Sequence, residues 1–187
     1  YKKRELPKLL HALADVKGLE WIRLHYAYPS KFPIEIIDAI KERENICNYL
    51  DMPLQHAHPK TLYRMRRPSN IDWVHKTLGK MRSKISDLAI RTTFIVGYPG
   101  ETDEEYQALF DFVQETRFDR VGTFQFSFEP GTTSEPLGDP VPAEVKQERF
   151  ERLMELQQGI SMQVNQSYVG KTLDVLVEGK EEQGGME

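Results

Sequence analysis

The sequence predicts an α/β fold built on a parallel sheet that curves so that one face lines a polar lumen. Three observations carry this expectation. Four β-branched or aromatic stretches alternate with stretches of helical periodicity, the pattern of successive βαβ units. Polar residues recur on one face of each: Arg23 and His25, Asp51 and Gln55, Arg91 and Thr93, then Thr123, Gln125 and Ser127. The opposite faces carry Ile22 and Leu24, Met52 and Leu54, Ile90 and Phe94, Phe124 and Phe126, which suits packing against helices. A sheet closed fully or partly into a barrel has a lumen for the polar face, whereas a flat doubly wound sheet has none.

Taken in order, Leu6, Leu9, Leu10 and Leu13 keep helical spacing up to a stop at Gly18. "EWIRLHYAYP" predicts a strand over residues 20–26, closed by Pro29. In "PIEIIDAIKER", Pro33 suits a first helical turn and Ile34, Ile37 and Ile40 share a face. "YLDMPLQH" is a second strand whose pairing is expected to end at Pro53, because proline lacks the N–H a ladder needs. Helical pattern returns at "PKTLYRM" and from Ile71 through Val74, Leu78, Met81 and Ile85, with Pro68-Ser69-Asn70 as the break. "LAIRTTFIVG" is the clearest strand. Thr102-x-x-Glu105 then forms a capping box for a helix with the stripe Tyr106, Leu109, Phe110 and Val113. "RVGTFQFSF" is a fourth strand, followed by the Pro- and Gly-rich "EPGTTSEPLGDPVP". A long helix over 143–166 is expected to bury Val145, Leu153, Leu156, Ile160 and Val164. "KTLDVLVEG" alternates like the opening strand of a second, β-rich module.

The 187 residues suit one such domain, or most of one. The net charge of −4 is spread without a basic cluster, so nucleic acid is not an expected partner of this segment. One cysteine, Cys47, excludes an internal disulfide and fits a reducing, cytoplasmic setting. No apolar run reaches the roughly 20 residues that span a bilayer, so no membrane association is expected. The chain does not begin with methionine, which suggests an excised or processed piece.

Ligand sites of parallel sheets gather at the carboxyl ends of the strands. The loops there are "YAYPSKFP", "PLQHAHP", "VGYPGETDEE" and "SFEPGTTSEP". Gly97 and Gly100 before a helix start would suit an anion, yet Glu101, Asp103, Glu104 and Glu105 crowd the same place. Carboxylates compete for the free amides and repel phosphate, which favours a cation or a set of hydroxyls as ligand. Acidic residues complementing the helix dipole account for some of the four by themselves. His56 and His58 alternate and point apart if extended, and one cysteine builds neither a zinc nor an iron–sulfur site, so no metal ligands are assigned in this chain.

As an ordered set, "WIRLHYAYP", "YLDMPLQH", "RTTFIVGYPGET", "FDRV" followed by "PGT", and "VPAEVKQERFERLMELQQGIS" resemble the radical S-adenosylmethionine methylthiotransferases. Within them the match is nearest the RimO-type branch, which modifies an aspartate of a small-subunit ribosomal protein. The tRNA-modifying branch, MiaB type, usually reads Gln-Ser-Gly-Ser where this chain has Gln55-His56-Ala57-His58. Two departures lie in loops: Glu129-Pro130, where two acidic residues are usual, and Pro68-Ser69-Asn70, where a glycine is expected.

The resemblance implies that residues 1–168 are the C-terminal four βα units of a partial, open TIM-like radical SAM barrel. It implies that 169–187 open a TRAM β-barrel, through which nucleic acid could be met. The family's Cys-x-x-x-Cys-x-x-Cys loop is absent from this chain, as is the separate domain that holds a second cluster. The 4Fe-4S clusters would therefore belong to the full-length protein, and this chain alone is expected to be inactive, with no catalytic residue assigned to it. The resemblance also implies the cofactor, S-adenosylmethionine. Its contacts would be Gln55, Arg91, Thr93, Ile95, Gly97 and Glu101, with Arg91 toward the methionine carboxylate and Gly97 allowing backbone approach to the adenine. Substrate contacts would be His25, Tyr26, His56 and Gln125. Two other readings keep the scaffold: a tRNA adenosine methylthiotransferase, and a binding module without catalysis.

Overall fold

The computed structural model describes residues 5–29, 32–67 and 70–177. The elements run α1 (Leu6–Ala14), β1 (Ile22–Leu24), α2 (Glu35–Glu42), β2 (Ile46–Asp51), α3 (Pro59–Arg64), α4 (Ile71–Lys84), β3 (Ala89–Val96), α5 (Asp103–Thr116), β4 (Arg120–Gln125) and α6 (Ala143–Gln166). A short 3-10 turn, Glu135–Leu137, interrupts the loop before α6. The four strands form one sheet in sequence order, and every neighbouring pair is parallel. Sequence order with helical crossovers is what strictly alternating βαβ units produce.

Side-chain alternation is clearest in β3, where Ile90, Thr92, Phe94 and Val96 are buried and Arg91, Thr93 and Ile95 face an open side. The buried side meets α2, α4 and α5 through Ile37, Ile40, Leu78, Leu109 and Val113. Phe94 and Phe112 each pack against the Phe118 ring at centroid distances of 5.9 and 5.8 Å. Helix starts are set locally. The Asn70 side chain accepts from the Trp73 amide, and the Thr102–Glu105 capping box forms in full. Arg117, at φ 51°, ends α5 in the left-handed region.

Several expectations need correction. The first strand is only Ile22–Leu24, because the chain turns left-handed at Tyr26, φ 58°, and the register shifts between its two ends. The second strand begins upstream, at Ile46, where Ile46 and Leu50 both reach the core. Pro53 interrupts its ladder but does not end it: Gln55 bridges to Phe94, its amide donating to Thr93 O and its carbonyl accepting from the Ile95 amide.

β4 faces the other way from the expectation. The register pairs Phe94 with Thr123 and Ile95 with Phe124, and paired residues share a face. Thr123 is therefore buried, Phe124 stands on the open side, and Gln125 turns toward α6.

The buried stripe of α6 is Lys146, Arg149, Leu153, Gln157 and Ile160; Val145, Leu156 and Val164 are only partly covered. Residues 171–177 are exposed and form no strand, and the rest of the expected β-rich segment lies outside the described residues. No described helix is long and apolar enough to cross a membrane.

Candidate functional site

At the carboxyl edge of the sheet the backbone enters the left-handed region three times in succession: Tyr26 at φ 58°, Gln55 at φ 70° and Gly97 at φ 71°. Two of these are not glycine, and such conformations persist only where surrounding contacts impose them. At Gln55 the imposing contact is the bridge to β3, which aims its side chain across the open face.

Beside this edge lies a cavity of about 480 Å³. It gathers four of the sequence-predicted residues, Gln55, Thr93, Ile95 and Gln125, and adds the rings of Tyr98, Phe124 and Phe126. Tyr98 and Phe126 meet edge to face at 5.1 Å, closing one wall. Burial pushes the Tyr98 phenol above its usual pKa, so it stays a neutral donor, directed to Arg64 O at 3.2 Å. An amide, hydroxyls and an apolar aromatic wall suit a ligand with hydroxyls and a flat ring, and Arg67, which also lines the cavity, donates to Pro53 O at 3.2 Å and lies over the Tyr28 ring.

A second group sits on the same open face. Asp51 is fully buried, with Arg91 Nη1 at 3.3 Å and His25 Nδ1 at 3.8 Å from its Oδ2. Arg23 Nε donates to His25 Nε2 at 3.1 Å, and Tyr49 packs beside both. Asp51 Oδ1 has no partner among the described residues. Arg91 thus spends one donor on Asp51 while its side chain stays 42% exposed. Tyr26 is the most open predicted residue, at 82%.

Three predicted residues lie behind this surface rather than on it. Glu101 and His56 are buried against each other, Oε2 to Nε2, at 3.2 Å. His56 Nδ1 accepts from the His58 amide at 2.9 Å, which leaves Nε2 as the donor. Glu101 Oε1 accepts from the Gly97 amide at 3.0 Å and from Arg149 at 2.7 Å. Gly97 meets a demand of the fold itself, since a Cβ there would collide with Lys146 Cγ. Gln125 donates to Gln147 at 2.6 Å and reaches the cavity only from its edge.

The acidic helix start is likewise spent on the protein itself. Asp103 pairs with Arg149 at 2.7 Å. Glu105 takes Arg64, the Thr61 hydroxyl and the capping interaction. Burial raises the Glu105 carboxyl, but the hydrogen bonds from Arg64 and Thr61 outweigh it and hold the pKa below the usual range. Glu104 remains exposed, its pKa lowered by the Thr102 hydrogen bond. The dipole-complementing and capping reading therefore covers most of the cluster, and it does not argue for a cationic ligand.

Lys146 and Arg149 were missed by sequence reasoning, which placed the buried face of α6 on its apolar residues. The signal was present: both fall on the stripe through Leu153 and Ile160 at helical spacing. Among the described residues no group of three or more His, Cys, Asp or Glu could hold a metal ion.

Comparison with known proteins fits this arrangement. A protein 48% identical over 97% of this chain is the ribosomal protein uS12 methylthiotransferase RimO of Christiangramia forsetii, of which 40% is covered. The enzyme of the same name from Heliobacterium modesticaldum is 48% identical over 95% of the chain and 39% of its own length. The chain thus spans about two fifths of the length of these relatives. Among solved structures, the radical SAM enzyme coproporphyrinogen III oxidase (HemN) of Escherichia coli superposes with a TM-score of 0.57 at 19% identity, over 89% of this chain and 37% of that one. The profile of the radical SAM superfamily matches residues 3–113, and with the parallel sheet and its carboxyl-edge cavity this establishes that the chain belongs to the radical SAM superfamily.

Proposed function

We propose that the whole protein is a cytoplasmic radical S-adenosylmethionine methylthiotransferase acting on the β-carbon of an aspartate in ribosomal protein uS12, and that this chain supplies cofactor and substrate contacts. The observation that carries the reading is the carboxyl-edge cavity, whose amide, hydroxyls and aromatic wall suit a nucleoside. The 48% identity to the two uS12 methylthiotransferases supports the substrate. When bound, S-adenosylmethionine supplies the hydrogen-abstracting radical chemistry of the superfamily.

In this reading Gln55 and Thr93 take the ribose hydroxyls, and Ile95 and the aromatic wall exclude water from the base. Arg91, with donors left after Asp51, takes a carboxylate. His25 and Tyr26, open at the end of β1, meet the protein substrate. The sheet is four units of a partial barrel, and residues 169–187 begin a TRAM module. The cluster ligands come from elsewhere in the polypeptide, so this chain by itself does not cleave the cofactor.

The test is the full-length protein, anaerobically reconstituted with iron and sulfide and offered uS12 or tRNA. A methylthio group on a uS12 aspartate is expected. Modification of a tRNA adenosine instead would overturn the substrate, and cofactor cleavage by the isolated chain would overturn the placement of the cluster ligands.

A further inference from the structure

A helix that only covers a sheet carries apolar residues on its inner stripe. The stripe of α6 carries Lys146, Arg149 and Gln157, each exposed by no more than 6%. Each reaches a different point along the strand ends. Gln157 donates to Phe118 O at 3.0 Å, just before β4. The Lys146 stem lies against Gly97, and its Nζ donates to Phe126 O at 3.1 Å, just after β4, and to Asp139 at 2.6 Å. The Arg149 fork grips Glu101 and Asp103 on either side of the α5 N-cap. Through Glu101 that grip continues to the Gly97 amide and to His56, next to Gln55.

We infer that α6 is a strap whose Arg149 and Lys146 set the cofactor cavity from behind as positioning residues, Arg149 through Glu101 and Lys146 through the Phe126 carbonyl. The loops they hold follow β2, β3 and β4, and they carry Gln55, Gly97 and Phe126. Arg149 is suited to this because its planar fork bridges two carboxylates at once, which a lysine ammonium on a flexible stem does not reproduce. The inference rests on the cofactor reading given above, and its test separates the two.

The test uses full-length, cluster-loaded protein as wild type, Arg149→Met and Lys146→Met. Methionine keeps an apolar stem in both places. Two quantities are read: S-adenosylmethionine affinity by equilibrium dialysis, and hydrogen exchange of the segments holding the Gly97 and Phe126 amides in ligand-free protein. In Arg149→Met, exchange at Gly97 is expected to rise about tenfold, as loss of one charge-assisted hydrogen bond implies, and affinity to fall roughly tenfold or more. Lys146→Met does the same at Phe126, whose amide donates to Val96 O at 2.9 Å.

Faster exchange with unchanged affinity in a folded variant would make the strap structural only and overturn the inference. Unchanged exchange would overturn it as well. If Arg149→Met does not fold, Lys146→Met decides by the same two outcomes. Wild type that binds no S-adenosylmethionine would instead sink the functional reading, and the exchange data would still decide whether the strap exists.

Discussion

Gly97 carries two separate demands, a backbone at φ 71° and a Cβ position already filled by the Lys146 stem. Gly97→Ala is expected to destabilise the fold by about 2–4 kcal/mol, combining left-handed backbone cost with overpacking against α6. A urea midpoint within error of wild type would refute this account of the glycine. Gln55 is the opposite case, a non-glycine residue at φ 70° whose side chain lines the cavity. Gln55→Gly relieves the left-handed backbone while adding chain entropy, so stability should stay within about 1 kcal/mol of wild type. Cofactor affinity should nevertheless fall, which separates strain kept for a site from strain kept for the fold. The residue types at these positions were legible in the sequence. The buried state of His56 and Glu101 was not, because burial follows from what packs above a loop.

At the scale of elements, local rules were the most readable. The capping box at Thr102 and Glu105 and the span of α6 follow from neighbours in the chain, and both are present. Glu105 adds a pH dependence to its helix. Its folded-state pKa is depressed, so its stabilising contribution is complete above the unfolded-state value and is lost as pH falls through the folded one. Glu105→Gln should therefore flatten the acid limb of the stability–pH profile and leave the difference from wild type largest near neutrality. Denaturant midpoints measured from neutral pH downward would show it, and parallel profiles would count against it. The β4 face was misread because a one-residue change of phase exchanges the two sides of a strand. Phe124 and Thr123 offered equally regular alternation, and only pairing with β3 selects between them.

For the whole molecule, the sheet is uneven in its support. β3 lies between two strands and pairs with β4 along six residues, whereas β1 has three residues, one neighbour and a shifted register. Hydrogen exchange should therefore be fastest in β1 and slowest in β3, with β1 opening below the global unfolding free energy. Equal protection across the four strands would contradict this.

Chain order, alternation of helix and strand, helix caps and the family-bearing loops were determined by the sequence itself, because each depends on residues close in the chain. The tertiary structure decided which face of β4 is buried, why Gly97 must be glycine, and where the acidic helix start spends its charge. It also turned Lys146 and Arg149 from surface-type residues into the anchors of three loops. Those outcomes depend on partners roughly thirty to fifty residues away, such as Thr123 on Phe94, Arg149 on Glu101 and Lys146 on Gly97, and periodicity along one element carries no information about what will pack against it.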